Sequence, residues 1–260
     1  MLQPPATAWP KLAAEPILQR PRLLGTKPQL VSLCFPKPQL TRCQAWSAME
    51  ILRQADEGIT ARLQRLSFGV LDYVVLPAAV LFGWSGIGPV LVAVFLLAGL
   101  QGLFLAVLAL AVGQVACRGL KVLLQRRRPS PPAGVSRAIT IKVPGPDDPD
   151  GASFPSGDTM AASAVGAALA LAGHGAPWWL LGAYAGFARV YFWCHFAFDT
   201  FMGYIVGSAA ALLVSSISNG GLSLKWHHVA LAVPPFLVVM KVLKKLQAAR
   251  HAKGNQKTSN

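Results

Sequence analysis

The sequence predicts an all-α, multi-spanning transmembrane helical bundle of about six spans. Three observations carry that expectation. Of the 260 residues, 53% are hydrophobic and only 13% are charged, about half the charged share of a soluble domain. Apolar runs of membrane-crossing length recur from residue 68 onward. The few ionisable residues inside those runs gather beside one polar loop instead of scattering.

Residues 1–48 form a proline-rich leader with six Lys/Arg against one acid, Glu15. It lacks the continuous apolar core of a secretory signal, so an organellar transit peptide and a disordered cytosolic tail both fit. Residues 49–67 read as an amphipathic helix on the membrane surface. Ile51, Ile59, Leu63 and Leu66 would face the bilayer and Arg53, Arg62 and Arg65 the headgroups.

The transmembrane domain is expected over 68–217. Its spans are placed at 68–84, which holds a lone Asp72, and then at 88–127, 156–173, 177–195 and 198–217. The stretch 88–127 would reach about 60 Å as one helix, roughly twice the hydrocarbon thickness. It reads as a single projecting helix, the alternative being a tight turn near Gly99–Gly102 that would raise the count to seven. The Pro, Gly and Asp of residues 129–154 break helices and belong outside the membrane. A C-terminal span is expected over 218–247, centred on 228–247, and a basic tail over 248–260.

The net charge of +14 sits in the leader, in Arg126–Arg128 and in the tail. Basic stripes interleaved with aromatics are absent, which excludes nucleic acid as the partner. Such clusters suit anionic headgroups instead. Cys34, Cys43, Cys117 and Cys194 have neither metal-ligand nor disulfide-framework spacing and read as unpaired.

Between Ser156 and Ile217 the only Asp, Glu, Lys or Arg residues are Asp158, Arg189 and Asp199. An ionisable residue at membrane depth is costly and marks a functional site by default. Lys121 and Arg128 are seven apart, close to one helical face, and two cations there suit an anion with several oxygens. Ser156 and Gly157 follow Pro155 at the start of an Ala/Gly-rich helix, where free N–H groups bind anions. Gly157 would let phosphate approach the backbone closely. His195 and Asp199 are four apart, so the carboxylate can orient the imidazole and leave its other nitrogen as a nucleophile. Arg189 joins them only if its helix ends before His195.

These residues, Lys121-x6-Arg128-Pro129, Pro155-Ser156-Gly157 and Arg189-x5-His195-x3-Asp199, resemble the three-part signature of the type 2 phosphatidic acid phosphatase (PAP2) superfamily. That superfamily includes lipid phosphate phosphatases, polyprenyl diphosphate phosphatases and vanadium haloperoxidases. The resemblance covers roughly residues 115–215, and the spans favour its membrane branch over the generally soluble haloperoxidases.

The resemblance implies a helical bundle and a metal-independent phosphatase, with no cofactor. His195 would form a phosphohistidine and Asp199 would orient it. Lys121, Arg128, Arg189, Ser156 and the Gly157 N–H would hold the phosphoryl oxygens of a phosphorylated lipid, a phosphatidate or an isoprenoid diphosphate. The expected location is a multi-pass membrane of plastid, mitochondrion or endoplasmic reticulum, with the oligomeric state open.

One position departs. Where the family carries the histidine that resembles a general acid, this chain has Asp158. A carboxylic acid fills that role only when burial holds its proton against neighbouring cations. Three readings stay open: Asp158 is the acid, the substrate has a leaving group that needs little protonation, or the site is a pseudophosphatase that binds lipid phosphate as a scaffold. A transporter is disfavoured, since no paired broken helices are legible.

Overall fold

A computed structural model of the chain describes residues 40–83, 85–137, 139–143, 151–219, 236–246 and 248–249. The leader, most of the acidic part of the polar loop and the end of the basic tail lie outside these residues. So does the first half of the expected C-terminal span, of which residues 236–246 are helical.

Among the described residues the regular structure is helical. The longer elements are α1 (Leu40–Arg65), α2 (Asp72–Val80), α3 (Ile87–Leu124), α4 (Gly157–Leu169), α5 (Leu180–Tyr191) and α6 (Ala197–Asn219). Helix α4 is the hub, packed against α3, α5 and α6. Every residue from Thr159 to Leu169 on it is buried. Its Ala- and Gly-rich sequence explains this, because small residues let helix backbones approach closely where water supplies no driving force. Gly207 of α6 shows how closely: a Cβ there would stand 2.2 Å from the Met160 carbonyl oxygen and 2.9 Å from the Ala164 nitrogen.

Two helices are long and apolar enough to cross a membrane, Ile87–Leu124 and Ala197–Ser218. Leu96, Leu100 and Leu213, at 76%, 59% and 52% exposed, belong to an outer surface that is apolar rather than polar. Such a surface is stable against lipid, and the protein is an integral membrane protein.

The expected spans need three corrections. First, the stretch 68–84 is α-helical only over Asp72–Val80, about 13 Å of rise, which is less than half the hydrocarbon core. Its Asp72 is not lone, for the Tyr191 hydroxyl donates to it.

Second, the stretch 88–127 is not one straight projecting helix. A Cβ on Gly83 would lie 3.8 Å from an Asp158 oxygen, and Lys121 bonds the Ala152 carbonyl. The turn that leads into α3, joined to it by the Ile87 N–H bond to the Gly83 carbonyl, and the last turn of α3 therefore meet the same end of the bundle, whereas a straight helix of that length would part its ends by about 57 Å. The chain breaks at Gly99, with φ +62° and ψ −163°, a conformation open to glycine and costly for other residues. Gly102, just past the break, stands at the opposite end against Ala172 of the turn after α4.

Third, α4 runs on into a π-type turn over Ala170–His174, and α5 is preceded by a 3-10 turn over Ala176–Trp179. The expected spans at 156–173 and 177–195 are thus composite. Six full crossings do not emerge from the described helices.

Helix α1 covers the expected surface helix but begins earlier. Its buried face is Asp56, Thr60 and Gln64, while Ile51 and Ile59 are 65% and 52% exposed. The face turned to the protein is the polar one.

Candidate functional site

The site forms at the end of the bundle where α3 stops, α4 starts and α5 turns into α6. Helix α3 ends at Gln125 in the left-handed region, with φ 41°, and the chain then carries Arg126 and Arg128 back across the bundle mouth. Lys121, on the last turn of α3, donates to the Ala152 carbonyl at 2.5 Å. Arg128 donates to the Gly151 and Cys194 carbonyls at 3.2 and 2.9 Å. The two cations are thereby tied to the segment leading into α4 and to the turn that carries His195.

Ser156 caps α4, its Oγ accepting from the Thr159 N–H at 3.3 Å. Its own N–H donates to the Asp199 carbonyl at 2.9 Å, so the cap joins the start of α4 to the first turn of α6. A Cβ on Gly157 would meet nothing within 4 Å. The space beside this first-turn residue is open, and the helix N-terminus faces it with a partial positive charge.

Helix α5 ends at Tyr191, and residues 192–196 form the turn to α6 that the spacing of Arg189 and His195 required. Trp193 reverses the chain with a positive φ of 60°, and the Cys194 N–H, donating to the Arg189 carbonyl at 2.9 Å, holds the turn.

The His195 side chain is 2% exposed. Its Nε2 lies 3.3 Å from Arg128 Nη1, and its Nδ1 lies 3.3 Å from Ser153 Oγ. Because a guanidinium only donates, Nε2 must be the acceptor and Nδ1 must carry the proton in the neutral ring. The Nδ1–H then donates to Ser153 Oγ, and the Ser153 hydroxyl donates to Asp199 Oδ2. Burial pushes the imidazole well below its ordinary value near 6.5, and Arg128, Arg189 and Lys121 push the same way. The result is a neutral histidine with a free-base nitrogen turned toward the cations.

The direct His195–Asp199 bond expected from the i, i+4 spacing does not form. Nδ1 and Oδ2 are 3.8 Å apart, too far for a hydrogen bond, and Ser153 bridges them. Asp199 is fully buried and also accepts from the Phe196 N–H at 3.1 Å and from Arg126 at 2.8 Å. Ser153 and Arg126 were not singled out in the sequence. A serine in a loop has no periodicity to mark it, and Arg126 is one of three consecutive arginines with nothing to set it apart.

Arg189 reaches the same mouth. It donates to the Ala79 carbonyl at 2.9 Å and pairs with Asp158 at 2.8 Å. Asp158 thus occupies one of the cations that phosphoryl oxygens would need. The structure brings Lys121, Arg128, Ser156, Gly157, Arg189, His195, Asp199 and Asp158 to one end of the bundle. The loop acids Asp147, Asp148 and Asp150 lie outside the described residues. Among those residues no cluster of three or more His, Cys, Asp or Glu is placed to hold a metal, and Cys117 and Cys194 are free and buried.

Residues 102–221 match the PAP2 superfamily model. Among solved structures the chain resembles Aquifex aeolicus LpxE, at 22% identity over 60% of this chain and 92% of that one, with a TM-score of 0.48. It also resembles the crystal structure of a transmembrane PAP2 type phosphatidylglycerolphosphate phosphatase from Bacillus subtilis. There the identity is 20% over 67% of this chain and 90% of that one, with a TM-score of 0.51, a likeness of fold. No curated protein matches the chain.

Proposed function

We propose that the chain is a phosphatase acting on a phosphorylated lipid, a reading supported by the match of residues 102–221 to the PAP2 superfamily model. The observation that carries this reading is the neutral His195, its Nε2 facing Arg128 with Lys121 and Arg189 nearby. A lone pair held among cations at an open helix N-terminus suits attack on an anionic phosphorus centre.

In the proposed reaction Nε2 leaves Arg128 and bonds to phosphorus as the P–O bond to the lipid breaks, giving a phosphohistidine, and the departing oxygen takes its proton from Asp158 or from water. Water then releases phosphate. Lys121, Arg128, Arg189, the Ser156 hydroxyl and the Gly157 N–H stabilise the charge that builds on the phosphoryl oxygens. The bipartite chain Nδ1–H to Ser153 to Asp199 holds the tautomer and spreads the positive charge that the ring acquires. None of these steps calls on a metal. The bilayer edge supplies the substrate, which fits a phosphatidate or an isoprenoid diphosphate.

The Asp158–Arg189 pair favours a second reading, a lipid-phosphate binder with little turnover. The two separate in one experiment, phosphate release from phosphatidate, lysophosphatidate, sphingosine phosphate and prenyl diphosphates by detergent-solubilised protein, with and without EDTA. The phosphatase reading expects EDTA-resistant release that His195→Ala lowers on the order of ten-thousandfold or more. Release undiminished by that substitution would remove His195 from the role. Absence of release in the natural chain, restored by Asp158→His, would establish the binder.

A further inference from the structure

The first turn of α6 carries Asp199, and its backbone donors are satisfied in an unusual way. A helix leaves its first N–H groups without internal partners, and a Ser, Thr, Asp or Asn at the N-cap normally accepts from them. Here the cap position is Phe196, which has no acceptor. Asp199, three residues on, reaches back to the Phe196 N–H at 3.1 Å, which is one half of a capping box. The next two donors find their acceptors on α1. Thr60 Oγ1 accepts from the Ala197 N–H at 2.9 Å, and Asp56 Oδ1 accepts from the Phe198 N–H at 2.8 Å. These bonds span 137 and 142 residues of chain.

The second oxygen of Asp56 accepts from Arg126 at 2.6 Å, and the same guanidinium bonds Asp199 at 2.8 Å. Arg126 also lies over the Phe196 ring, 3.9 Å from its centroid. Asp56 is 8% exposed and Asp199 is fully buried. Two buried carboxylates share one guanidinium, and the positive end of α6 offsets the remaining negative charge.

We infer that α1 is a positioning element for the site: Asp56 and Thr60 fix the first turn of α6 and, through Arg126, the carboxylate of Asp199 that orients His195. The hydrogen bonds of Asp56, Thr60 and Arg126 run to one another, to the first turn of α6 and to Asp199. They act through Asp199 and Ser153. Resting on the phosphatase reading, this assigns a function to the polar face of a helix whose sequence suggested only membrane contact.

The test uses the full chain in detergent with two readouts, kcat and KM on the best lipid phosphate, and the 15N chemical shifts of the His195 ring. The ring signal is identified by its loss in His195→Gln. Asp56→Asn keeps the size of the side chain and removes its charge. The expected result is a kcat loss of about ten- to a hundredfold with KM within about twofold, since misplacement by about 1 Å costs on that order. The His195 signals should move away from the pure Nδ1–H pattern, and Asp56→Glu should restore part of both.

If Asp56→Asn does not fold, Thr60→Val removes one acceptor alone and should give a smaller loss in the same direction. A folded Asp56→Asn with unchanged kcat and unchanged ring shifts would overturn the proposal, as would a change in melting temperature alone. The ring shifts need no turnover. A natural chain that hydrolyses nothing defeats the phosphatase reading, whereas unmoved shifts defeat the positioning role.

Discussion

At the scale of single residues, the site turns on which atom donates to which. Ser153 sets the tautomer of His195, because its Oγ accepts a hydrogen bond from Nδ1–H while its hydroxyl donates to Asp199. Ser153→Ala should lower kcat by about tenfold to a hundredfold while KM stays near its natural value, read by steady-state kinetics across pH. The burial shift of His195 fixes the pH behaviour. Its folded value lies below 6.5, so the free-base nitrogen is present at neutral pH and is lost only as pH falls through that lowered value. The acid limb of kcat/KM should therefore lie below pH 6.5, and His195→Ala should abolish it with the rate.

Asp158 acts at the same scale through its pair with Arg189. Asp158→Asn should release the guanidinium and strengthen inhibition by orthophosphate by a few-fold, in line with about 1 kcal/mol for a partly exposed pair. If Asp158 also delivers the leaving-group proton, the same variant loses kcat on phosphatidate more than on a prenyl diphosphate.

At the scale of elements, backbone contact between helices sets the geometry that brings these atoms together. Gly207 lets α6 lie against the α4 backbone at Met160 and Ala164. Gly207→Val should part the helices and cost about 3 kcal/mol, seen as a lower melting temperature in detergent. Gly119, on the same membrane-spanning segment as Lys121, has nothing within 4 Å of an added Cβ. Gly119→Ala should be neutral or stabilise by up to about 1 kcal/mol. These helices were legible in the sequence because apolar runs and an Ala/Gly-rich stretch are local signals. The break at Gly99 was visible only as one of two options. A glycine in a continuous apolar run does not say whether it kinks or packs, and contact of the turn before α3 and of its last turn with the site decided it.

At the scale of the whole molecule, the apolar exterior is the solvent-facing surface of a protein in lipid. Leu96 on the first arm of α3 is 76% exposed. Leu96→Arg should impair membrane insertion by about 2.5–3.5 kcal/mol in a glycosylation-based insertion assay, while Leu96→Phe should insert normally. An equal effect of the two would mean that this face meets protein or water instead.

The sequence alone singled out most of the residues that the candidate site brings together. Lys121, Arg128, Arg189, His195 and Asp199 stand out because charges in apolar helices are rare and costly, and their spacings put them near one membrane edge. It also determined that the chain is helical and lives in a bilayer, since composition and run length are properties of the chain itself. The tertiary structure decided how the charges are shared. Asp56 meets Arg126 across 70 residues, and Arg126 meets Asp199 across 73. Ser153 steps between a histidine and an aspartate that spacing alone had paired directly. Helical periodicity shows which residues share a face. It carries no information on which distant face will supply the missing hydrogen-bond partner, and that partner is fixed only when the helices pack.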